Sequence, residues 1–280
     1  MAAWFWRLGF QALWEPDILV GTAVTALAFT ALVLVRREGE GRAWPVRLAL
    51  GWTAFAALYA AVGSPLDALG DDYLFSAHMV QHMLLTMVSV PLALAATPAW
   101  ALRALIAWRP LAVVVRAVTR PWTALVLFNA VFSFWHFPGL FDAALRSEGI
   151  HFLEHATLVA AAVCMWWPLV CPLPEERLHP AGQMAYVLAD GTLMLGVFAF
   201  VTLGRLPLYT PYAHAPRAVP SLGPAVDQEL GGIVMNLFTM VVYGALFAAA
   251  FVRWVRLEPA VDPEVAGRAV MRRGGGRGTG

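Results

Sequence analysis

Seven apolar runs, each near the ~20 residues a helix needs to cross hydrocarbon, leave few folds open to this chain. They lie at 17–35, 47–64, 74–96, 121–138, 150–170, 183–203 and 230–252. Inside lipid a backbone must satisfy its own hydrogen bonds, so runs of this length fold as helices. Charged residues make up only 13% of the chain, against about a quarter in a soluble domain. The expected fold is therefore an all-α integral membrane protein, a seven-transmembrane helical bundle in a cell membrane. The fourth run is short, and the second contains Gly51 and Gly63, so the edges of both are soft.

Orientation follows from arginine, since basic loops stay in the cytoplasm. One set of alternate loops carries 15 arginines and the other carries 4, namely Arg7, Arg146, Arg205 and Arg217. This predicts an outer N-terminus and a cytoplasmic C-terminus. The expected division is a transmembrane domain over 1–256 and a cytoplasmic tail without order over 257–280, Arg/Gly-rich from Met271 to Gly280. Between the third and fourth runs, Arg103, Arg109, Arg116 and Arg120 recur every turn or two, which suits one or two helices lying in the interface. At the start, Trp4, Phe5 and Trp6 read as an interfacial anchor rather than a signal peptide. A net charge of +1 gives no basis for nucleic-acid binding, and Cys164 and Cys171 form no metal or disulfide motif.

Chemistry concentrates in the histidines. His78 and His82 are four apart at the start of the third run, and His151 and His155 repeat that spacing at the start of the fifth. Residues four apart share a helix face. With the predicted topology, both pairs lie in the outer turns of their helices. His136, closing a run of opposite direction, reaches the same depth, as do Asp227 and Gln228 ahead of the seventh run. Five histidines thus gather in one layer, at most roughly 10 Å below the outer helix ends. Ionisable groups inside a membrane suggest a functional site, and helix N-termini disfavour imidazolium, leaving the neutral form that binds metal.

Imidazole suits copper, zinc and haem iron, and thioether sulfur favours Cu(I). Met79, Met83 and Met235 could add soft ligands, although methionine more often fills gaps between packed helices. Glu154 and Asp227 could orient an imidazole from behind or be plain interface charges. Without metal, the histidines could simply pair helices, and His136 could belong to an aromatic belt. His179 and His214 read as surface residues.

Several motifs resemble a known family: Phe75-Ser76-Ala77-His78-Met79-Val80-Gln81-His82-Met83, Phe134-Trp135-His136-Phe137-Pro138 and His151-Phe152-Leu153-Glu154-His155. So do Trp166-Trp167-Pro168, Leu208-Tyr209-Thr210-Pro211-Tyr212 and Asp227-Gln228-Glu229-Leu230-Gly231-Gly232 with Met235. In this order they are similar to the polytopic CtaG family of cytochrome c oxidase assembly factors, as distinct from the single-span copper chaperone of that name. The resemblance implies a role in maturing haem–copper oxidase in a bacterial plasma membrane. Its expected partners are oxidase subunits and a copper chaperone, its expected cargo is copper, as Cu(I), and it has no turnover of its own. The rival readings are a bis-histidine haem redox protein, a zinc-dependent membrane hydrolase with Glu154 or Asp227 as base, and a scaffold without metal.

Overall fold

In the computed structural model, which describes Gly9 and residues 13–36 and 43–257, the helix carrying the first histidine pair is the most enclosed of the long helices. In chain order the helices are α1 (Pro16–Val35), α2 (Ala43–Val62), α3 (Pro65–Asp72) and α4 (Phe75–Ala96). Two short helices follow, α5 (Ala99–Leu105) and α6 (Arg109–Val118), and then α7 (Pro121–Trp135), α8 (Pro138–Leu145) and α9 (Glu148–Val170). The last three are α10 (Pro180–Thr202), α11 (Thr210–His214) and α12 (Pro224–Leu257). No strand occurs among the described residues. The N-terminal aromatics Trp4, Phe5 and Trp6, the loop arginines Arg37 and Arg42, and the tail beyond Leu257 lie outside the described residues.

Among the described residues, six helices are long and apolar enough to span a membrane: α1, α2, α4, α9, α10 and α12. The predicted fourth span is shorter than expected, because α7 has only 15 residues, about 22 Å of helix. It reaches spanning length only together with α6, from which it bends by 73° at the break before Pro121. Proline at the first helical position fixes φ and donates no N–H, so a new helix starts there at its own angle. The arginine-rich connection forms two short helices, α5 and α6, with Arg103, Arg109 and Arg116 all exposed.

The start of α4 is fixed from far along the chain. Leu74 stands at its N-cap and offers no side-chain acceptor. The Asp227 carboxylate of α12 takes that place, accepting from the Phe75 N–H at 2.7 Å, the Ser76 N–H at 3.2 Å and the Ser76 hydroxyl. A carboxylate at a helix N-terminus satisfies orphan donors and complements the dipole; a cap of this kind is worth about 0.5–2 kcal/mol. Further along, α4 widens into a π-helical segment over Leu84–Ser89. Pro91 explains it: the ring cannot donate to the carbonyl four residues back and crowds it, so the Val90 N–H reaches Leu85 O instead.

Polar ties join several helices inside the bundle. Asp190 of α10 accepts from Asn129 of α7 at 2.6 Å and from the Tyr243 hydroxyl of α12. Trp166 of α9 donates to Thr86 O of α4 at 2.7 Å. In lipid such bonds hold helices together where water gives no hydrophobic drive.

Close approach of α12 depends on Gly231 and Gly232. A Cβ on Gly231 would lie 2.4 Å from the Phe75 ring, and one on Gly232 would lie 2.1 Å from the Thr202 hydroxyl and 3.0 Å from its backbone nitrogen. Gly232→Ala is therefore expected to part α10 and α12 and cost about 1–3 kcal/mol. Thermal unfolding in detergent should show a lowered Tm, and an unchanged Tm would contradict this packing account.

Candidate metal centre

The four paired histidines form one cluster. Ring centroids lie 4.4 Å apart for His78 and His82, 4.3 Å for His151 and His155, 5.4 Å for His78 and His151, and 5.2 Å for His82 and His155. His136 stands at the edge, 6.1 Å from His82. Both pairs occupy the first turns of their helices, so α4 and α9 bring their N-terminal ends together. His78 and His82 are fully buried, and His136 is 2% exposed. His136 stacks on Phe132 at 4.2 Å and points its Nδ1 at Phe132 O, so it is part of the buried layer and not of an aromatic belt.

The polar groups of this layer are short of partners. His78 Nδ1, His82 Nδ1, His136 Nε2, His151 Nε2, His155 Nε2 and both Glu154 carboxylate oxygens are buried without a hydrogen bond. A buried polar atom left unpaired costs about 1–3 kcal/mol, and native proteins rarely tolerate several in one place. Two triads place one ligand atom each within 4.8 Å of the others: His78, His151 and His155; and His78, His82 and Glu154. The Nε2 atoms of His78 and His82 are 2.9 Å apart. Two nitrogens about 2.0 Å from one ion at a tetrahedral angle stand roughly 3.3 Å apart, so these two need little movement to share an ion. The residues fit a metal.

Asp71, given no role by the sequence reading, supplies the backing carboxylate. Its oxygens lie 3.4 Å from His78 Nδ1 and 3.4 Å from His151 Nδ1. A carboxylate behind Nδ1 turns Nε2 toward the metal and raises its basicity. The signal was present in the sequence: Asp67 and Asp71 are four apart, the spacing of the histidine pairs. Ser64 starts their helix by accepting from the Leu66 N–H. Gly70 lets α3 touch α4, since a Cβ there would meet the His78 backbone at 3.0 Å.

Other expectations shift. Asp227 orients the backbone of α4 and not an imidazole ring. Gln228 accepts from the Leu208 N–H at 2.6 Å and donates to Val201 O at 3.1 Å, so it holds the loop after α10. Glu154 is fully buried with Oε1 3.8 Å from His82 Nε2, beside the cluster as expected. Met79, Met83 and Met235 are fully buried in the apolar core. His179 and His214 are exposed. Cys164 and Cys171 are unpaired thiols beyond the cluster on α9 and just after it.

A loop closes over the layer. Tyr209 donates to His136 O at 3.1 Å, Tyr212 donates to Gly70 O at 2.6 Å, and the Thr210 N–H donates to Asp142 at 3.1 Å. Burial pushes both phenols further up, keeping them as donors. Phe75 and Phe141 complete an aromatic wall, with Phe141 5.0 Å from the His78 ring. Beside this wall a cavity of about 430 Å³ is lined by Glu15, Asp67, Asp71, Asp72, Glu148, Arg146 and His151. Acidic walls concentrate cations, and His151 belongs to both the cavity and the cluster.

The fold and the site together define a polytopic helical membrane protein with a buried histidine–carboxylate layer near one end of the bundle. The chain belongs to the cytochrome c oxidase caa3 assembly factor family, whose model matches residues 26–257. Uncharacterized proteins of Mycobacterium bovis and Mycobacterium tuberculosis are each 28% identical over 273 residues, covering 89% of this chain and 40% of the relative. One of Mycobacterium leprae is 27% identical over 278 residues, covering 90% and 41%. The chain thus spans about two-fifths of the length of these relatives. No solved structure matches it.

The acidic cavity has a pH signature. Burial, with Asp71 and Glu15 nearby, pushes the Asp67 carboxyl from 3.8 up to about 7. The folded chain then keeps a proton that the unfolded chain loses above about 4, so this group lowers stability progressively between about pH 4 and pH 7. Asp67→Asn keeps the acceptor that Gln81 uses at 2.6 Å and removes the charge. Its Tm should exceed that of the wild type at pH 8 and match it at pH 4; equal gains at both would contradict the charge argument.

Proposed function

We propose that this chain supports copper insertion during maturation of haem–copper cytochrome c oxidase, holding Cu(I) as cargo at His78, His82, His151 and His155 with His136 beside them. The observation that carries the reading is the layer of buried imidazoles with unpaired nitrogens, backed by Asp71 and flanked by Glu154. Copper would occupy the unpaired Nε2 atoms of His151 and His155 together with the Nε2 atoms of His78 and His82, which otherwise have only each other as partners. Imidazole without thiolate suits moderate, exchangeable binding, which a carrier needs if it is to release its cargo. Met79, Met83 and Met235 serve in this reading as the packed wall behind the histidines. The protein has no turnover of its own; its partners are an oxidase subunit and, as donor, a copper chaperone.

In this reading, which the arginine bias supports, the layer lies under the outer face of a bacterial plasma membrane, with an outer N-terminus and a cytoplasmic C-terminus. With α6 and α7 counted as one bent span, the bundle crosses seven times. The acidic cavity then faces outward and offers cations a path to His151. A second reading is zinc, favoured by the triad His78, His82 and Glu154, a donor set that zinc also takes in catalytic sites.

Elemental analysis with an optical spectrum on detergent-purified protein separates the readings. The expected result is about one copper per chain after Cu(I) loading under reducing conditions, no Soret band, and loss of the copper in His82→Ala plus His155→Ala. Zinc in place of copper would favour the second reading. No metal at all would overturn the carrier role and leave a scaffold that acts on the oxidase.

A further inference from the structure

Asparagine occurs twice in the chain, as Asn129 on α7 and Asn236 on α12. Asn129 uses its amide inside the bundle, on Asp190 at 2.6 Å and Leu125 O at 2.9 Å. Asn236 is exposed and, among the described residues, makes no hydrogen bond. Its depth follows from its neighbours on α12: Gly232 lies against Thr202 of α10, and Tyr243 donates to Asp190. Asn236 falls between those two levels, along the length of α10 that is apolar enough to span. Lipid tails offer an amide no partner there.

The amide borders a crevice of about 420 Å³, lined by Thr192 and Leu195 on α10 and by Asn236, Thr239, Met240 and Gly244 on α12. Thr239 is 4% exposed, and its hydroxyl lacks a hydrogen bond. Thr25, Thr30, Thr53, Thr86 and Thr192, by contrast, each donate to the carbonyl four residues back. Gly244 is exposed, and a Cβ there would meet nothing within 4 Å. Packing within the chain therefore does not require this glycine, a residue that weakens a helix interior. Ile233, Asn236, Met240 and Gly244 recur at three- and four-residue spacings, so they share one face, and all four are exposed.

We propose that this face of α12 docks a second copy of the chain, with the two α12 helices parallel about a two-fold axis along the membrane normal. Asn236 then pairs with the partner's Asn236. An amide both donates and accepts, so it is its own complement under two-fold symmetry. Two copies inserted in one orientation hold this amide at one depth automatically, whereas a helix of another protein would need a polar residue placed there. Gly244 lets the two backbones approach, as small residues do where helices meet in lipid. The crevice beside the face gives the incoming side chains room, and the Thr239 hydroxyl is a further donor at the same contact. The surface does not depend on which metal the histidine layer holds.

Sedimentation equilibrium of the full chain in detergent micelles tests the proposal. The wild type should form a dimer, and Asn236→Leu should raise its dissociation constant about tenfold, roughly 1.4 kcal/mol for the amide pair. Asn236→Gln, which keeps an amide, should change it less than about threefold. Gly244→Leu should weaken the dimer about tenfold, and Leu27→Ala, on the exposed side of α1, should leave it unchanged. In membranes, the Asn236→Cys variant, with Cys164→Ala and Cys171→Ala, should give a disulfide-linked dimer on oxidation with iodine. If Asn236→Leu does not fold, that cross-link reads the contact, and its failure to form would overturn the interface. A monomeric wild type, or a dimer as strong with Asn236→Leu as without it, would also overturn it. A monomer that co-purifies with another membrane protein, lost in Asn236→Leu, would overturn self-pairing in favour of a foreign helix.

Discussion

Hydrocarbon contains no water, so every polar group that the chain buries must find its partner in protein. Most of this structure obeys that constraint. Asp190 is paired with Asn129 and Tyr243, Asp227 with the first turn of α4, and the indole of Trp166 with a carbonyl of the π-helical segment. The histidine layer does not: five imidazoles and Glu154 carry seven buried atoms without hydrogen bonds. Unpaired atoms elsewhere, such as Trp167 Nε1 and Thr239 Oγ1, stand singly, whereas this layer gathers seven of them in one place.

The surrounding fold holds that layer at a defined geometry. Asp227 sets the start of α4, Gly70 lets α3 bring Asp71 behind two imidazoles, and Pro91 widens the helix just past His82. Tyr209 and Tyr212, tied to His136 O and Gly70 O, close the layer on its loop side. None of these residues is placed as a metal ligand. Each fixes the position of a histidine of the layer, in line with the precision that binding sites demand of their supporting residues. The acidic cavity opens onto the same layer through His151, which lines both.

Helical periodicity made part of this legible in sequence. Spacing of four put His78 with His82 and His151 with His155 on shared faces, and arginine counting sorted loops so that His136 fell at the same depth. What stayed hidden depends on which helices are neighbours, which hydropathy does not encode. Asp227 lies 152 residues from the Phe75 it caps, and the sequence offered it as an imidazole partner, an interface charge or a hydrolase base, not as a helix cap. Asp71 sits in a helix of 8 residues, too short to register as an element in a reading built on spans. The fourth run, 121–138, starts where α7 starts, but hydropathy showed neither that α7 ends at Trp135 nor that it follows α6 across a 73° bend. The Tyr209 and Tyr212 motif was visible as a pattern, but its role needed the loop's position over the layer.

X-ray absorption at the copper edge, on protein loaded with Cu(I) under reducing conditions, tests the central claim most directly. The account predicts nearest neighbours that are nitrogen or oxygen only, with the outer scattering pattern of imidazole, lost when His82 and His155 are both alanine. Sulfur at bonding distance from copper, or a spectrum unchanged by the two histidine substitutions, would contradict it.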